Sequence, residues 1–167
     1  MGGDAVMTEI RFFARDRAQY PWLSNFFPAP IAEAGKVWPT AEHLYQACKT
    51  DVPGERERIR LTPTPGAAKR LGRIVTLRRG WLEERESWMA WVLQLKFRQH
   101  ADLAARLVAT GDSRLVEDSP WDSYWGIGRD GRGRNTLGVL LMELREAFRS
   151  GRVRPSTTRG VASIAEG

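Results

Sequence analysis

One stretch of the chain, residues 36–50 (KVWPTAEHLYQACKT), concentrates side chains that can take part in acid–base chemistry. Glu42, His43, Gln46 and Lys49 all fall within it. If the stretch is helical, Glu42 and Gln46 are one turn apart and share a face, whereas His43 points elsewhere. A carboxylate in the first turn of a helix stays ionised and suits a general base or a partner for developing positive charge. The alternative is that Glu42 only complements the helix dipole.

A second candidate acid, Asp122, lies in the run WDSYWG at residues 121–126. The aromatic side chains on either side offer faces on which a nucleobase can stack, and an aspartate between them can bond the polar edge of that base. The alternative is an aspartate that only closes a turn. Two carboxylates from separate segments suit hydrolysis of a glycosidic bond, in which one stabilises the sugar or activates water and the other assists the leaving group.

Other kinds of site have little support in this sequence. Two histidines and a single cysteine in unconnected places make no metal-ligand set, and no cofactor is predicted. No Gly-x-Ser-x-Gly nucleophile motif occurs. The glycines between residues 126 and 133 permit a backbone that wraps closely round a ligand, but their spacing matches neither common nucleotide-binding pattern.

The elements that must position these residues can be read from local patterns. Thr40 is a good N-cap for the helix that carries Glu42, and a hairpin that turns near Gly35 precedes it. Apolar periodicity predicts further helices and two short strands. The predicted helices are 55–61, 65–72, 81–100, 101–109 and 137–149, and the strands are 9–13 and 114–117.

Composition narrows the setting. The chain has 26 lysines and arginines, only four of them lysine, and a net charge of +6. Arginine grips phosphate through two parallel hydrogen bonds, so a phosphate-rich ligand or nucleic acid is one interpretation, and a solvated basic surface is the other. We expect a cytoplasmic protein with no membrane partner, because the sequence has no apolar run of about 20 residues and no secretory signal pattern.

The motifs, taken together, resemble those of the NADAR (YbiA-like) family. The main match is the run WPTAEH-x-x-QA-x-K at residues 38–49, and the resemblance covers residues 9–149. Four further matches occur in the same order, namely Ser24-Asn25-Phe26, Pro65-x-x-Ala68-Lys69-x-x-Gly72-Arg73, Asp122-x-x-Trp125-Gly126-x-Gly128 and Gly133-x-Asn135-x-Leu137-Gly138.

The resemblance implies an α+β fold, as a mainly helical single domain with a small antiparallel sheet. The family domain is expected at 9–149. The residues outside it offer little to bury, so we expect a flexible tail at 1–8 and a disordered tail at 150–167. The resemblance also implies a metal-independent N-glycosidase. The expected substrate is ADP-ribosylated guanine in a nucleotide or nucleic acid, and a cognate DNA ADP-ribosyltransferase toxin is the implied partner. The alternatives are hydrolysis of phosphoribosylated riboflavin-biosynthesis intermediates, and a non-catalytic module that binds ADP-ribose or nucleic acid.

The resemblance also assigns roles to individual residues. Catalytic roles fall on Glu42, Asp122, Trp81 and Lys49, with Trp81 as a stacking platform and Lys49 as the counterpart of a lysine that forms a Schiff base with the opened sugar. Substrate-binding positions carried over from the matched motifs are Asn25, Phe26, His43, Gln46, Lys69, Trp125, Gly126, Gly128 and Asn135.

Overall fold

The computed structural model describes residues 7–13 and 19–157. The chain divides into two compact units. One comprises Met1–Ser24 and Leu103–Val153 and is called here the Asp122 unit; the other comprises Asn25–Asp102 and Arg154–Gly167 and is called the Glu42 unit. Most of the two predicted tails, residues 1–6 and 158–167, lies outside the described residues.

Four short strands and six helices follow one another along the described chain. In order they are β1 (Glu9–Phe12), β2 (Ile31–Glu33), β3 (Lys36–Trp38), α1 (Ala41–Cys48), α2 (Pro53–Arg60), α3 (Pro65–Leu71), α4 (Trp81–Gln99), α5 (Ala101–Ala109), β4 (Arg114–Glu117) and α6 (Thr136–Arg149).

The hairpin β2–β3 opens the Glu42 unit. It is antiparallel, with Ile31 opposite Trp38, and both side chains are buried. Ala34 and Gly35 have φ values of 48° and 75°. Two consecutive left-handed residues make the tight turn that suits the natural twist of a two-strand ribbon. The predicted hairpin and its turn are therefore confirmed.

Helix α1 is the centre of the Glu42 unit. All eight of its residues are buried, because α2, α3, α4 and β3 pack around it. The Thr40 side chain caps its first turn, as predicted, by accepting a hydrogen bond from the backbone N–H of His43. Polar side chains on a helix this deeply buried need hydrogen-bond partners, because burying an unpaired polar group costs free energy.

The Asp122 unit is built on a parallel strand pair. β1 pairs with β4 in parallel, with Ile10 opposite Leu115, and α6 packs on β4. Periodicity predicts both strands, and the family resemblance implies only an antiparallel sheet. The structure therefore adds a second, parallel ladder, which strands so distant in sequence can form and a hairpin cannot.

Six helices and four short strands confirm the α+β, mainly helical class. In the part of the chain that the structure describes, no helix is both long enough and apolar enough to cross a membrane.

Candidate functional site

The Glu42 carboxylate is buried and held by an amide from the next turn of α1. Glu42 is only 6% exposed and Gln46 only 3%. Gln46 Nε2 donates a hydrogen bond to Glu42 Oε1 at 2.6 Å. The backbone N–H of Glu42 donates to the carbonyl oxygen of Asn25 at 3.0 Å, which ties the loop before β2 to the start of the helix. A charge-assisted bond of this length fixes the orientation of the carboxylate.

Lys49 continues the same face of the helix, one turn beyond Gln46. Its Nζ donates to the carbonyl oxygen of Gly72 at 3.3 Å. Burial lowers the pKa of Lys49 below its usual value, the Glu42 charge opposes that shift, and the positive charges of Lys69 and Arg73 add to it. A cationic cluster with a lysine of lowered pKa thus lies near a buried carboxylate. Such perturbed groups are typical of functional sites.

Two buried acceptors in this region lack a hydrogen-bond partner within residues 7–13 and 19–157. They are Asn25 Oδ1 and Gln46 Oε1. Asn25 donates through its other amide atom to Met89 Sδ at 3.2 Å. Buried polar atoms are nearly always satisfied, so acceptors of this kind are suited to an N–H or O–H group of a ligand.

His43 has a different surrounding from its neighbours on α1. Nδ1 lies 2.8 Å from Thr40 Oγ1 and Nε2 lies 3.1 Å from the carbonyl oxygen of Thr62. A carbonyl can only accept, so Nε2 carries the hydrogen and Nδ1 accepts from the hydroxyl. Burial lowers the pKa of His43, which agrees with a neutral ring. Both ring nitrogens are therefore occupied inside the protein, and this side chain holds α1 to the chain after α2.

The other site residues predicted in this unit take varied positions. Trp81 begins α4, is buried, and packs against Tyr45 with ring centroids 5.5 Å apart. Lys69 on α3 and Phe26 in the loop before β2 are half-buried. The Trp81 ring thus has little exposed surface on which a base could stack, and it mainly packs against α1.

In the Asp122 unit, the Asp122 side chain organises its own loop. Oδ1 accepts the backbone N–H groups of Tyr124 and Trp125 at 2.9 and 2.8 Å. This is the turn-closing arrangement that the sequence analysis keeps as an alternative. Trp125 is half-buried and meets Tyr124 edge-to-face with ring centroids 5.0 Å apart. Asp122 is half-buried as well, and its Oδ2 takes no part in the two bonds to Tyr124 and Trp125.

Asn135 performs a structural task in this unit. It occupies the N-cap position of α6 with a φ of 53°, yet its side chain makes no capping bond. Nδ2 instead donates to Leu115 O at 2.9 Å, and Oδ1 accepts the backbone N–H of Glu117 at 2.9 Å. The amide therefore binds the edge of β4. Both ends of the Asn135 amide, which we expect to bind a ligand, are thus hydrogen-bonded to β4.

The glycines of this loop allow close packing of the unit on itself. A Cβ on Gly126 would stand 2.7 Å from Glu117 O, and one on Gly128 would stand 3.1 Å from the Ser123 Cβ. The backbone N–H of Gly128 donates to Asp122 O at 3.1 Å. The glycines thus bring the loop close to its own backbone.

Two features of the Glu42 unit have no residue-specific role among the motif assignments. Gly72 and Arg73 stand beside Lys49; both belong to the family-like motif, and Arg73 also closes the basic stretch at residues 63–73, which is a weak sequence signal for a phosphate. A cleft of about 860 Å³ opens elsewhere in the unit, lined by Glu33, Cys48, Asp51, Arg56, Arg78, Glu84, Ser87, Trp88 and Trp91. Neither Glu42 nor Gln46 lines it. Within the described residues, no group of three or more potential ligands is placed to hold a metal ion.

The fold and these contacts define a small α+β protein with an acid, an amide and a lysine on one face of a buried helix. The model of the NADAR domain matches residues 11–149. The chain belongs to the NADAR family, which confirms the resemblance seen in its motifs.

Named relatives agree with this assignment. The chain is 45% identical over 141 residues to N-glycosidase YbiA of Escherichia coli (strain K12), covering 83% of this chain and 88% of that protein. It is 39% identical over 146 residues to N-glycosidase Npun_R5314 of Nostoc punctiforme, covering 83% and 92%. The Riboflavin biosynthesis protein VVA0006 of Vibrio vulnificus is 38% identical over 143 residues, which cover 84% of this chain but 39% of that protein.

A solved structure matches as well. The NMR structure of the E. coli protein YbiA superimposes with a TM-score of 0.77 at 42% identity, covering 88% of this chain and 89% of that chain. Relatives that are named N-glycosidases agree with the predicted enzyme class.

Proposed function

We propose that this protein is an N-glycosidase that removes ADP-ribose from guanine in a nucleotide or nucleic acid. The observation that carries the proposal is the Gln46–Glu42 hydrogen bond, which orients a buried carboxylate on the same helix face as Lys49. Cleavage of an N-glycosidic bond builds positive charge on the sugar, and a fixed carboxylate in a buried site stabilises that charge.

The surroundings of Glu42 support a ribosylated, phosphate-bearing substrate. The acceptors Asn25 Oδ1 and Gln46 Oε1 suit sugar hydroxyls or base N–H groups. The positive charges of Lys69 and Arg73, which both act on Lys49, suit phosphate oxygens together with it. A diphosphate such as that of ADP-ribose uses more of this cluster than a single phosphate does.

Lys49 fits two tasks in this proposal. Its lowered pKa makes a neutral amine more accessible, which favours attack on C1 of a ring-opened sugar. The base leaves from that carbon, and water then hydrolyses the lysine imine, which releases the sugar aldehyde and the free amine. The same pKa shift suits Lys49 to pass a proton to a leaving base. Trp81, Asp122 and Trp125 stay predictions of the resemblance, as do a cytoplasmic location and a DNA ADP-ribosyltransferase as partner.

The second candidate is hydrolysis of a phosphoribosylated riboflavin-biosynthesis intermediate. Two relatives carry riboflavin biosynthesis in their names, although the matched regions cover only 39% and 22% of those proteins. The third is a module that binds ADP-ribose without hydrolysing it. Such a module needs a pocket but has no need of the Glu42 charge.

One experiment separates the three. Purified protein is incubated with an oligonucleotide that carries ADP-ribosylguanine and, separately, with ribosylaminouracil phosphate, and the released sugar is quantified. We expect release of ADP-ribose, and a loss of about a hundredfold or more for Glu42→Gln, which keeps an oxygen for Gln46 but removes the charge. Turnover of the aminouracil compound alone favours the second candidate. Tight binding of ADP-ribose without release, unchanged in Glu42→Gln, favours the third.

A further inference from the structure

We propose that Gly72 is a positioning residue for the candidate site. Its missing side chain leaves the space in which Gln46 stands to orient Glu42, and its carbonyl oxygen holds the Lys49 ammonium. The site is the one used in the proposed function, so the importance of this role for catalysis rests on that function. The geometry itself does not depend on it.

The space beside Gly72 is already filled by Gln46. A Cβ built on Gly72 would stand 1.9 Å from Gln46 Oε1, 2.7 Å from its Cδ and 3.1 Å from its Cβ. The contact therefore involves the root of the side chain as well as its end. Gln46 is 3% exposed and has neighbours on every side of α1, so it cannot swing away cheaply. Any side chain at position 72 displaces the amide that bonds Glu42.

The backbone conformation does not explain a glycine at this position. Gly72 is the C-cap of α3 with φ −61° and ψ −12°, which is ordinary right-handed helical geometry. Alanine at such a position costs nothing in backbone strain and favours a helix end by up to about 1 kcal/mol. The Gln46 side chain is the feature that excludes a larger residue, so damage from Gly72→Ala has to arise through Gln46.

The carbonyl of Gly72 serves the second charged group. It stands at the C-terminal end of α3, where helix carbonyls lack an intrahelical partner and carry partial negative charge. Lys49 Nζ donates to this oxygen at 3.3 Å. One residue of α3 thus contacts Gln46 with its open side and Lys49 with its carbonyl, and both lie on the Glu42 face of α1. A shift of Gly72 moves the acid and the amine together.

The test is a double-mutant cycle of Gly72→Ala, Gln46→Ala and the double variant, with Gly66→Ala as control. Gly66 lies on the same helix, and a Cβ there meets nothing closer than 3.7 Å. The first measurement is the NMR signal of the Gln46 side-chain amide, which requires no substrate. The second is kcat and KM on the ADP-ribosylguanine oligonucleotide.

We expect Gly72→Ala to shift the Gln46 amide signal and to lower kcat by about a hundredfold, the cost of misplacing a catalytic group by about 1 Å, with a smaller change in KM. We expect Gly66→Ala to match the parent in both. Gln46→Ala removes the two closest contacts and leaves only the 3.1 Å contact with the Cβ of residue 46. A shift of a few tenths of an ångström relieves that contact, so we expect the double variant to equal Gln46→Ala in kcat. This comparison keeps its meaning even when Gly72→Ala alone fails to fold.

An unshifted Gln46 amide in folded Gly72→Ala overturns the proposal, as does an equal loss of kcat from Gly72→Ala in both backgrounds. When the parent protein turns over neither substrate, the proposed function fails on its own. The amide signal then still decides whether Gly72 positions Gln46.

Discussion

The Thr40 hydroxyl is hydrogen-bonded to both the ring and the backbone N–H of His43 at the start of α1. Thr40 Oγ1 accepts the backbone N–H of His43 at 3.3 Å and donates to Nδ1 at 2.8 Å, while Nε2 donates to Thr62 O. The Thr40–Nδ1 bond needs a neutral ring, because Nδ1 must accept in it, and burial lowers the pKa of His43 from its usual 6.5.

This geometry predicts a loss of stability on the acid side. Below pH 6.5 His43 becomes protonated in the unfolded chain, whereas in the folded protein it stays neutral until a lower pH is reached. The unfolding free energy therefore falls as the pH drops through that window and levels off below the folded pKa. Urea unfolding at a series of pH values between 5 and 8 measures the slope of the unfolding free energy against pH. We expect His43→Gln to flatten the slope and His100→Gln to retain it. An unchanged slope in His43→Gln contradicts the prediction.

The four lysines offer a direct test of two environments. Lys96 is fully buried near the rings of Phe27 and Phe97, and burial lowers its pKa to about 7. Lys49 has a lowered pKa as well. NMR titration of ¹³Cε-labelled lysine, assigned by single Lys→Arg variants, should show one signal that titrates near pH 7. Four signals that all titrate near 10.5 disprove it.

The burial of Lys96 also makes the unfolding free energy depend on pH. Between about pH 7 and pH 10.5 the unfolded chain keeps the Lys96 proton that the folded protein has lost. The contribution of this group to the unfolding free energy therefore rises with pH across that window.

Substitutions of Asp122 can separate the effect of its hydrogen bonds within the loop from the effect of its negative charge. Asparagine keeps an oxygen for the backbone N–H groups of Tyr124 and Trp125, whereas alanine removes it. We expect Asp122→Ala to destabilise the protein by about 1–3 kcal/mol, and Asp122→Asn to cost little. If the charge serves catalysis, both lose about a hundredfold or more in kcat. Full activity of Asp122→Asn limits this residue to its turn.

Asn135 should prove important for stability. Removing its amide leaves the buried Leu115 O and Glu117 N–H without a partner, at about 1–3 kcal/mol each. Asn135→Ala loses the bonds and keeps a Cβ in the left-handed region, whereas Asn135→Gly loses the same bonds but relieves that strain by about 1 kcal/mol. Thermal unfolding should therefore rank parent, glycine and alanine in that order. A glycine variant as stable as the parent would rule out the bonding role.

Local signals in the sequence were enough to predict the elements. The Thr40 cap and the Gly35 turn place α1 and the hairpin, because capping and left-handed turns depend on residues within a few positions of each other. The same holds for α5 and β4, whose bounds match the prediction. The parallel partner of β1 lies far along the chain, so periodicity gave its existence but not its pairing.

The residue types and helical spacing alone placed Glu42 and Gln46 on one face, and the hydrogen bond between them follows from that spacing. Only the tertiary structure decided what the other polar residues do. His43 and Asn135 are motif residues whose polar atoms are occupied by Thr62 and β4, and Gly72 gained a role because α3 packs against Gln46. Burial and hydrogen-bond partners depend on segments distant in sequence, and a motif does not specify which segment fills the space beside it.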